Sequence, residues 1–176
     1  MVATVGVVGH RYLWIGEQAQ EDRDASELYR RVRSQALWSR LSSALTGRPR
    51  HLLNLASVEA SCTVADCRDA GTRTVPINLI RGSSNRCCDF DANFRPLHSH
   101  GQVRWLGLAA ARQRGAKLPP VNLIEAAGVY FVVDGHHRIS VARALGETAI
   151  QARVTTWQPA GPSAWEGMNS RGRSRC

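Results

Sequence analysis

The chain has 176 residues, of which 43% are hydrophobic, and a formal net charge of +9. This length allows one domain with its own core plus flexible ends, and the composition excludes wholesale disorder or a collagen-like chain. No run approaches the roughly 18 apolar residues that span a bilayer, and the N-terminus lacks the cationic leader of a secretory signal. We therefore expect a cytoplasmic protein without a membrane partner.

Arginine carries almost all of the positive charge, because 22 of the 23 cationic residues are Arg and the other is Lys117. Guanidinium groups bind phosphate in a bidentate manner and stack on bases, so this excess favours nucleotides or nucleic acid as partners. A GC-rich genome would produce the same excess without any such partner. The charge is therefore consistent with polyanion binding but does not require it.

Five cysteines are present, an odd number that includes one adjacent pair. This count argues against a disulfide framework, and no pair has the CxxC spacing of a structural zinc site. We expect reduced thiols, with a thiol-redox role as the alternative. The cysteines are Cys62, Cys67, Cys87, Cys88 and Cys176.

An amphipathic helix is predicted from about Glu27 to Leu45. Ser26 precedes it as a candidate N-cap, and Gly47 and Pro49 follow it as stop signals. A weaker helix is predicted over 53–62, and a polar linker over 66–72.

The region from Arg30 to Arg50 contains six arginines and no acidic residue. Such a cluster predicts a surface that tracks phosphates, and the alternative is a solvated helix face. The candidate nucleic-acid-binding residues are Arg30, Arg31, Arg33, Arg40, Arg48 and Arg50.

The pattern changes near residue 74. A strand over Val75–Ile80 leads into a long loop, and a helix is predicted over 98–114. A hairpin over 121–133, a helix that ends at Gly146 and a closing strand over 148–157 complete the pattern. We predict three parts: a helical, basic N-terminal extension (1–73), an α/β (α+β) mixed-sheet domain (74–156) and a flexible basic tail (157–176).

The richest chemistry lies between the hairpin and the last helix, in the run Asp134-Gly135-His136-His137-Arg138. Backbone N–H groups at a helix start are unpaired and lie at the positive end of the helix dipole. Glycine allows close approach of a ligand, so this turn predicts a phosphate cradle. The alternative is that Asp134 caps the helix, Gly135 forms the turn and the histidines are solvated. The candidate phosphate-binding residues are Gly135, His136, His137, Arg138 and Ser140.

Nucleotide hydrolysis at this turn would require Mg²⁺, positioning cations and an aligned water. The candidate catalytic residues are Asp134, His136, His137 and Arg138. The candidate metal ligands are Asp134, Asp89 and Asp91. His98 and His100 form a second pair that is either part of a metal site or a solvated helix start.

The stretch Val75–Val154 resembles the ParB/sulfiredoxin fold family, in particular the ParB N-terminal-like ("ParB-like nuclease") domain. VPINLI at 75–80 is similar to its opening strand, and LPPVNLIEAAGVYFVVDGHHRISVARALG at 118–146 to its later strand pair and signature helix. Where ParB proteins carry Gly-Glu-Arg-Arg, this chain carries Gly135-His136-His137-Arg138. The resemblance implies a mixed-sheet domain that binds the phosphates of ATP or CTP at this turn.

The chain departs from the Gly-Glu-Arg-Arg signature at its second and third positions, where it has His136 and His137. His136 stands where sulfiredoxins have their reactive cysteine and ParB proteins a glutamate, so neither sulfiredoxin activity nor a CTP-dependent clamp is expected. We expect a nucleotide-phosphate-binding enzyme, an ATPase or other NTPase, that also binds DNA and acts on it as a DNase. The alternatives are a non-catalytic DNA- or protein-binding accessory or inhibitory factor of a plasmid or mobile element, and a kinase of free serine.

Overall fold

The computed structural model describes residues 8–46, 51–60, 64–126 and 128–159, with side chains in the first segment described for 20–39. No helix within these residues is both long and apolar enough to cross a membrane. The helices are α1 (Val8–Thr46), α2 (Leu55–Glu59), α3 (Gln102–Gln113) and α4 (His136–Ala144). The strands are β1 (Leu53–Asn54), β2 (Val64–Pro76), β3 (Ile80–Ser83), β4 (Val121–Ala126), β5 (Val129–Asp134) and β6 (Ala149–Pro159).

The described strands form one six-stranded sheet in the order β1-β3-β5-β4-β6-β2. The pairs β1/β3, β3/β5 and β4/β6 are parallel, whereas β4/β5 and β2/β6 are antiparallel. The predicted fold class, a mixed α/β sheet domain with helices packed against it, is therefore confirmed.

The middle of strand β5 is buried on both faces of the sheet. Successive side chains of a strand point to opposite faces. Accordingly, Val132 packs in a cluster with Ile139 of α4, and Phe131 packs in another with Leu55 and Val58 of α2. Packing on both faces holds β5 in place just before its end. Since α4 begins two residues after β5, the same packing also positions the start of α4.

The hairpin and the helix after it form as the sequence predicts. Strands β4 and β5 pair in antiparallel fashion, and Gly128 between them has a φ of +74°. Helix α4 ends before Gly146, whose φ of +78° is the left-handed conformation that glycine favours after a helix. These elements lead directly into and out of the candidate phosphate cradle.

Helix α1 begins earlier than predicted, at Val8 rather than near Glu27. Ser26 is not an N-cap, because its Oγ donates to the carbonyl of Asp22 within the helix. The face of α1 that packs on α3 shows helical spacing, and the ring of Tyr29 lies 5.2 Å from that of Trp105. Its buried residues are Ala25, Tyr29, Val32 and Ala36.

The polar linker predicted over 66–72 is wrong, because these residues lie inside β2. The strand is almost entirely exposed and forms through backbone pairing with β6, which side-chain polarity does not reveal. A register shift between Asp69 and Thr72 accommodates Gly71, whose φ is +72°. The predicted boundary between residues 73 and 74 thus falls within a strand.

Two other predicted elements have different bounds. The strand predicted over Val75–Ile80 is interrupted, because β2 ends at Pro76 and one 3₁₀ turn (Ile77–Leu79) precedes β3. The helix predicted over 53–62 is the five-residue α2, which Asn54 caps by accepting the N–H of Ala56. At the other end of the chain, β6 includes residues predicted as tail, and 160–176 lie outside the described residues.

Candidate functional site

Gly135 makes the turn into α4, and only glycine fits there. Its φ is +101°, and a Cβ built on it would lie 2.5 Å from Cγ1 of the fully buried Val121. The first bond of the helix runs from the N–H of Ile139 to the carbonyl of Gly135. The backbone N–H groups of residues 136–138 therefore have no partner within the helix, and no described side chain caps it.

A cavity of about 150 Å³ opens at this helix start. Residues 133–138 form one wall. The opposite wall comes from the loop after β3 and from the first turns of α3. Its lining residues are Asn85, Arg86, Arg104 and Leu108. Helix dipole and guanidinium charge thus face the same space, which is the arrangement that attracts anions.

The two arginines of the opposite wall were not among the predicted site residues. Arg86 forms a long ion pair with Asp89 at 3.7 Å. Arg104 is exposed and forms no ion pair or hydrogen bond with any described residue. In the sequence, Arg104 is recognisable only as a polar position of the helix predicted over 98–114. Its place at the cavity depends on folding, which brings α3 next to the start of α4.

His136 is held beneath the cavity. It is 5% exposed, and its Nε2 lies 2.8 Å from Oγ of the buried Ser83. The same Oγ accepts the backbone N–H groups of Asn85 and Arg86, so the serine hydroxyl proton is directed to Nε2 and the ring carries its own proton on Nδ1. Burial first, then Arg86 and His137, lower its pKa to about 4. His136 is therefore neutral at neutral pH and fixes the loop that carries Arg86.

His137 lies between the two walls. Its ring fits against Gly101 at the start of α3, where a Cβ would lie 2.5 Å from Cε1 of the ring. Burial lowers its pKa most, followed by the charges of Arg104 and Arg86. Its Nδ1 is shielded from solvent and has no hydrogen-bond partner among the described residues. The ring is thus neutral at neutral pH, and its unpartnered Nδ1 is out of reach of solvent.

Arg138 is largely occupied by the protein itself. Its Nη1 donates to the carbonyls of Pro119 at 2.7 Å and Pro120 at 2.9 Å, and its Nη2 donates to the carboxylate of Asp134. Its side chain is only 12% exposed. Arg138 therefore clamps α4 to the segment before β4, and Asp134 offsets its charge. The expectation that it supplies the main cation for phosphate is not favoured by this geometry.

Ser140, predicted to bind phosphate, does not lie at the cavity. It is 2% exposed, and its Oγ accepts the indole N–H of Trp105 at 2.9 Å. The helical period turns this position towards α3, away from the unpaired N–H groups of the first turn. The prediction is wrong for this residue.

The three carboxylates predicted as metal ligands are not gathered together. Asp134 lines the cavity, whereas Asp89 is bound to Arg86. Asp91 is buried and accepts the backbone N–H groups of Asn93 and Arg95, which closes its own turn. Across the described ranges, no three His, Cys, Asp or Glu side chains are placed to hold one metal ion. The predicted three-carboxylate site is therefore not formed.

His98 and His100 lie just before α3, as a solvated pair. Their rings stack at 5.8 Å, both residues are exposed, and Nε2 of His100 is 3.9 Å from the carboxylate of Asp89. The charge of His100 nevertheless affects the site, because it also lowers the pKa of His137.

The predicted nucleic-acid-binding arginines are only partly within the described side chains. Arg30 and Arg31 are exposed on α1, while Arg33 is half-buried and has Nη1 shielded from solvent. Trp38, 71% exposed, lies two turns after Arg31 on the same side of the helix. Arg40 lies in the helix with no described side chain, and Arg48 and Arg50 lie outside the described residues.

A second cavity, of about 200 Å³, lies on the other side of Arg138. Its lining includes Arg112 and Glu147, which form a two-point ion pair at 2.6 and 2.9 Å. This pair neutralises the charge of the wall, and no unpaired helix start faces the space. The smaller cavity is therefore the better candidate for an anion.

Comparison with known proteins does not assign the chain to a family. No protein-family model and no curated protein matches the chain. Among solved structures, the crystal structure of sulfiredoxin from Arabidopsis thaliana is similar at 22% sequence identity and a TM-score of 0.37. The match covers 47% of this chain and 82% of that chain.

Proposed function

We propose that the protein binds the phosphates of a nucleoside triphosphate, ATP or CTP, in the cavity at the start of α4 and hydrolyses it. The observation that carries the proposal is the opposition of two positive features across one space. The unpaired N–H groups of residues 136–138 form one side, and Arg86 and Arg104 form the other. Both features attract an anion, and a chain of phosphates presents oxygens to both at once.

Each group at the cavity has a separate task in this proposal. Backbone N–H groups and Arg104 bind phosphate oxygens and stabilise the negative charge that develops as the terminal phosphate is transferred to water. Neutral His137, which lines the cavity, accepts a hydrogen bond from the attacking water at Nε2 and so orients it, because Nδ1 is shielded from solvent. His136 and Ser83 position the loop of Arg86.

Magnesium fits this arrangement as a companion of the nucleotide. Mg²⁺ is commonly held by one or two carboxylates together with the phosphates of the substrate. Asp134 is the one predicted carboxylate that lines the cavity, and it is 57% exposed although it is bound to Arg138. Bound Mg²⁺ would neutralise phosphate charge, and Asp134 would hold it.

A phosphate-release assay with Mg²⁺ and either ATP or CTP tests this function. We expect turnover by the full chain and its loss in Arg86→Gln/Arg104→Gln and in His137→Ala. Arg153→Gln is a matched charge control, because Arg153 is exposed on β6 and does not line the cavity. Undiminished turnover in both cavity variants would refute the assignment of this site, and the absence of turnover by the unaltered chain would refute hydrolysis.

DNA binding, with or without cleavage, is the second proposed activity, and the exposed face of α1 supports it. Arg30, Arg31 and Trp38 lie on the side of α1 opposite its buried residues. Guanidinium groups pair with backbone phosphates, and an exposed indole provides a surface on which a base stacks. Arg138 and Asp134 are bound to each other, which leaves them less available for catalysis. This pairing favours a protein that binds DNA without cutting it, as an accessory or inhibitory module.

Fluorescence anisotropy with labelled single- and double-stranded oligonucleotides tests this second activity. We expect affinity that falls steeply with salt and is reduced in Arg30→Gln/Arg31→Gln but not in Arg153→Gln. A plasmid-nicking assay on the same samples reports any DNase activity. Salt-dependent binding without nicking or nucleotide turnover would favour the non-catalytic module, and equal affinity in all variants would exclude this face.

A further inference from the structure

Two adjacent thiols directly follow Arg86, which lines the cavity, and have no part in the proposed hydrolysis. Cys87 is half-buried against the main hydrophobic cluster, whereas Cys88 is exposed. Their Sγ atoms are 3.7 Å apart. An exposed thiol and a neighbouring thiol at this distance form a vicinal pair that an oxidant reaches first at Cys88.

The backbone places this pair in the turn that arranges the cavity wall. The N–H of Asp89 bonds to the carbonyl of Arg86 at 3.3 Å, so Cys87 and Cys88 are the central residues of a four-residue turn. The side chains of Arg86 and Asp89 pair across it at 3.7 Å. These two charges also act on His136 and His137, Arg86 lowering and Asp89 raising the pKa of each ring. The shape of the turn therefore contributes to the electrostatics of both histidines, although burial lowers the pKa of each ring most.

We propose that Cys87 and Cys88 are a redox modification site at which a hydroperoxide forms a reversible vicinal disulfide that displaces Arg86 from the cavity wall. The hydroperoxide oxidises the Cys88 thiol to a sulfenic acid and is reduced to an alcohol, or to water when the oxidant is hydrogen peroxide. The Cys87 thiol then attacks the sulfenic sulfur, the S–S bond forms, and water leaves with the Cys87 proton.

Ring closure between neighbouring residues must distort the turn. Adjacent Cα atoms are about 3.8 Å apart across a trans peptide. Relaxed disulfides join Cα atoms about 4.4–6.8 Å apart. The S–S bond therefore strains the peptide between Cys87 and Cys88 and the turn around it, and a strained disulfide is readily reduced again. Arg86 and Asp89 flank the ring and move with it.

Peptide mapping by mass spectrometry tests the modification without any ligand. The protein is the full chain with Cys62→Ser, Cys67→Ser and Cys176→Ser, and the matched control carries Cys88→Ser as well. After hydrogen peroxide, we expect the peptide containing both cysteines to lose two hydrogen atoms and to regain them with dithiothreitol. The control should show only oxygen addition at Cys87. Oxygen addition or intermolecular pairing as the main product in the first protein would overturn the proposal.

Histidine ring signals in NMR test whether oxidation reaches the cavity wall. We expect the signals of His136 and His137 to shift on oxidation and to return on reduction, and we expect no such reversible shift in the Cys88→Ser control. Unchanged His136 and His137 signals in a protein shown to be oxidised would overturn the displacement of Arg86.

The consequence for ligand binding rests on the proposed function, and it is measured separately. Titration with inorganic triphosphate should show at least a threefold weaker affinity in the oxidised protein than in the reduced protein. Equal affinity in the two states contradicts control of the site. No binding in the reduced state contradicts the proposed function and leaves the mass and NMR results intact.

Discussion

The two walls of the cavity use their arginines in opposite ways. On the α4 side, Arg138 is 12% exposed and donates to two carbonyls and a carboxylate of its own chain. On the α3 side, Arg104 is exposed and binds no described group. Signature residues visible in the sequence thus build the turn, and cations from other elements remain available for a ligand. A motif can mark a site without supplying its main contacts.

The largest effect is expected from Gly135→Ala, which attacks the α4 wall itself. The added Cβ meets Val121 and the backbone is held at a φ of +101°, so we expect a loss of unfolding free energy on the order of 3 kcal/mol or more. Gly146→Ala is the matched control at the other end of α4. Its φ is +78° but a Cβ there meets nothing within 4 Å, so only about 1 kcal/mol of backbone strain is expected. Urea unfolding measures both, and equal losses would mean that contact with Val121 does not matter.

The next effect is a pH dependence of stability that originates at His136. Its pKa is about 4 in the folded protein against 6.5 for an unperturbed ring, so the unfolded chain binds more protons between these values. The contribution of the neutral His136 ring to the free energy of unfolding is therefore fully present above pH 6.5 and is lost as the pH falls towards 4. The expected loss is on the order of 3 kcal/mol.

Urea unfolding at a series of pH values checks this in the parent and in His136→Gln, which keeps an acceptor for the Ser83 hydroxyl. The variant should lack this part of the acid sensitivity, and His98→Gln, at an exposed ring, should keep it. A parent curve that is flat between pH 6.5 and 4 would contradict the buried neutral state of His136.

Arg138→Gln tests whether Arg138 stabilises the fold, in contrast to the exposed Arg104 of the other wall. It leaves the carbonyls of Pro119 and Pro120 without their donor, and we expect a loss of about 2 kcal/mol in the free energy of unfolding. Asp134→Asn removes only a 57% exposed partner and should cost less than about 1 kcal/mol. Unchanged stability in Arg138→Gln would contradict the role of Arg138 as a clamp and would make it the first candidate for binding the phosphate.

Local patterns predicted the elements around the turn, and tertiary contacts decided the rest. The hairpin and α4 carry alternating or helical apolar spacing and end at glycines, so both could be found in the sequence. Strand β2 could not, because its exposed polar residues are held by pairing with β6. Ser140 was misplaced because proximity in sequence to the turn does not determine which way a helical position faces. Arg86 and Arg104 joined the site only through folding.

Calorimetric titration of Mg-ATP into Arg104→Gln, with urea unfolding of the same sample, tests the central claim most directly. The claim is that phosphate is held by the unpaired start of α4 and the exposed cations opposite it. It predicts about tenfold weaker binding, equivalent to about 1.4 kcal/mol, with unfolding unchanged and with Arg153→Gln behaving like the unaltered protein. Unchanged affinity in Arg104→Gln would contradict the claim.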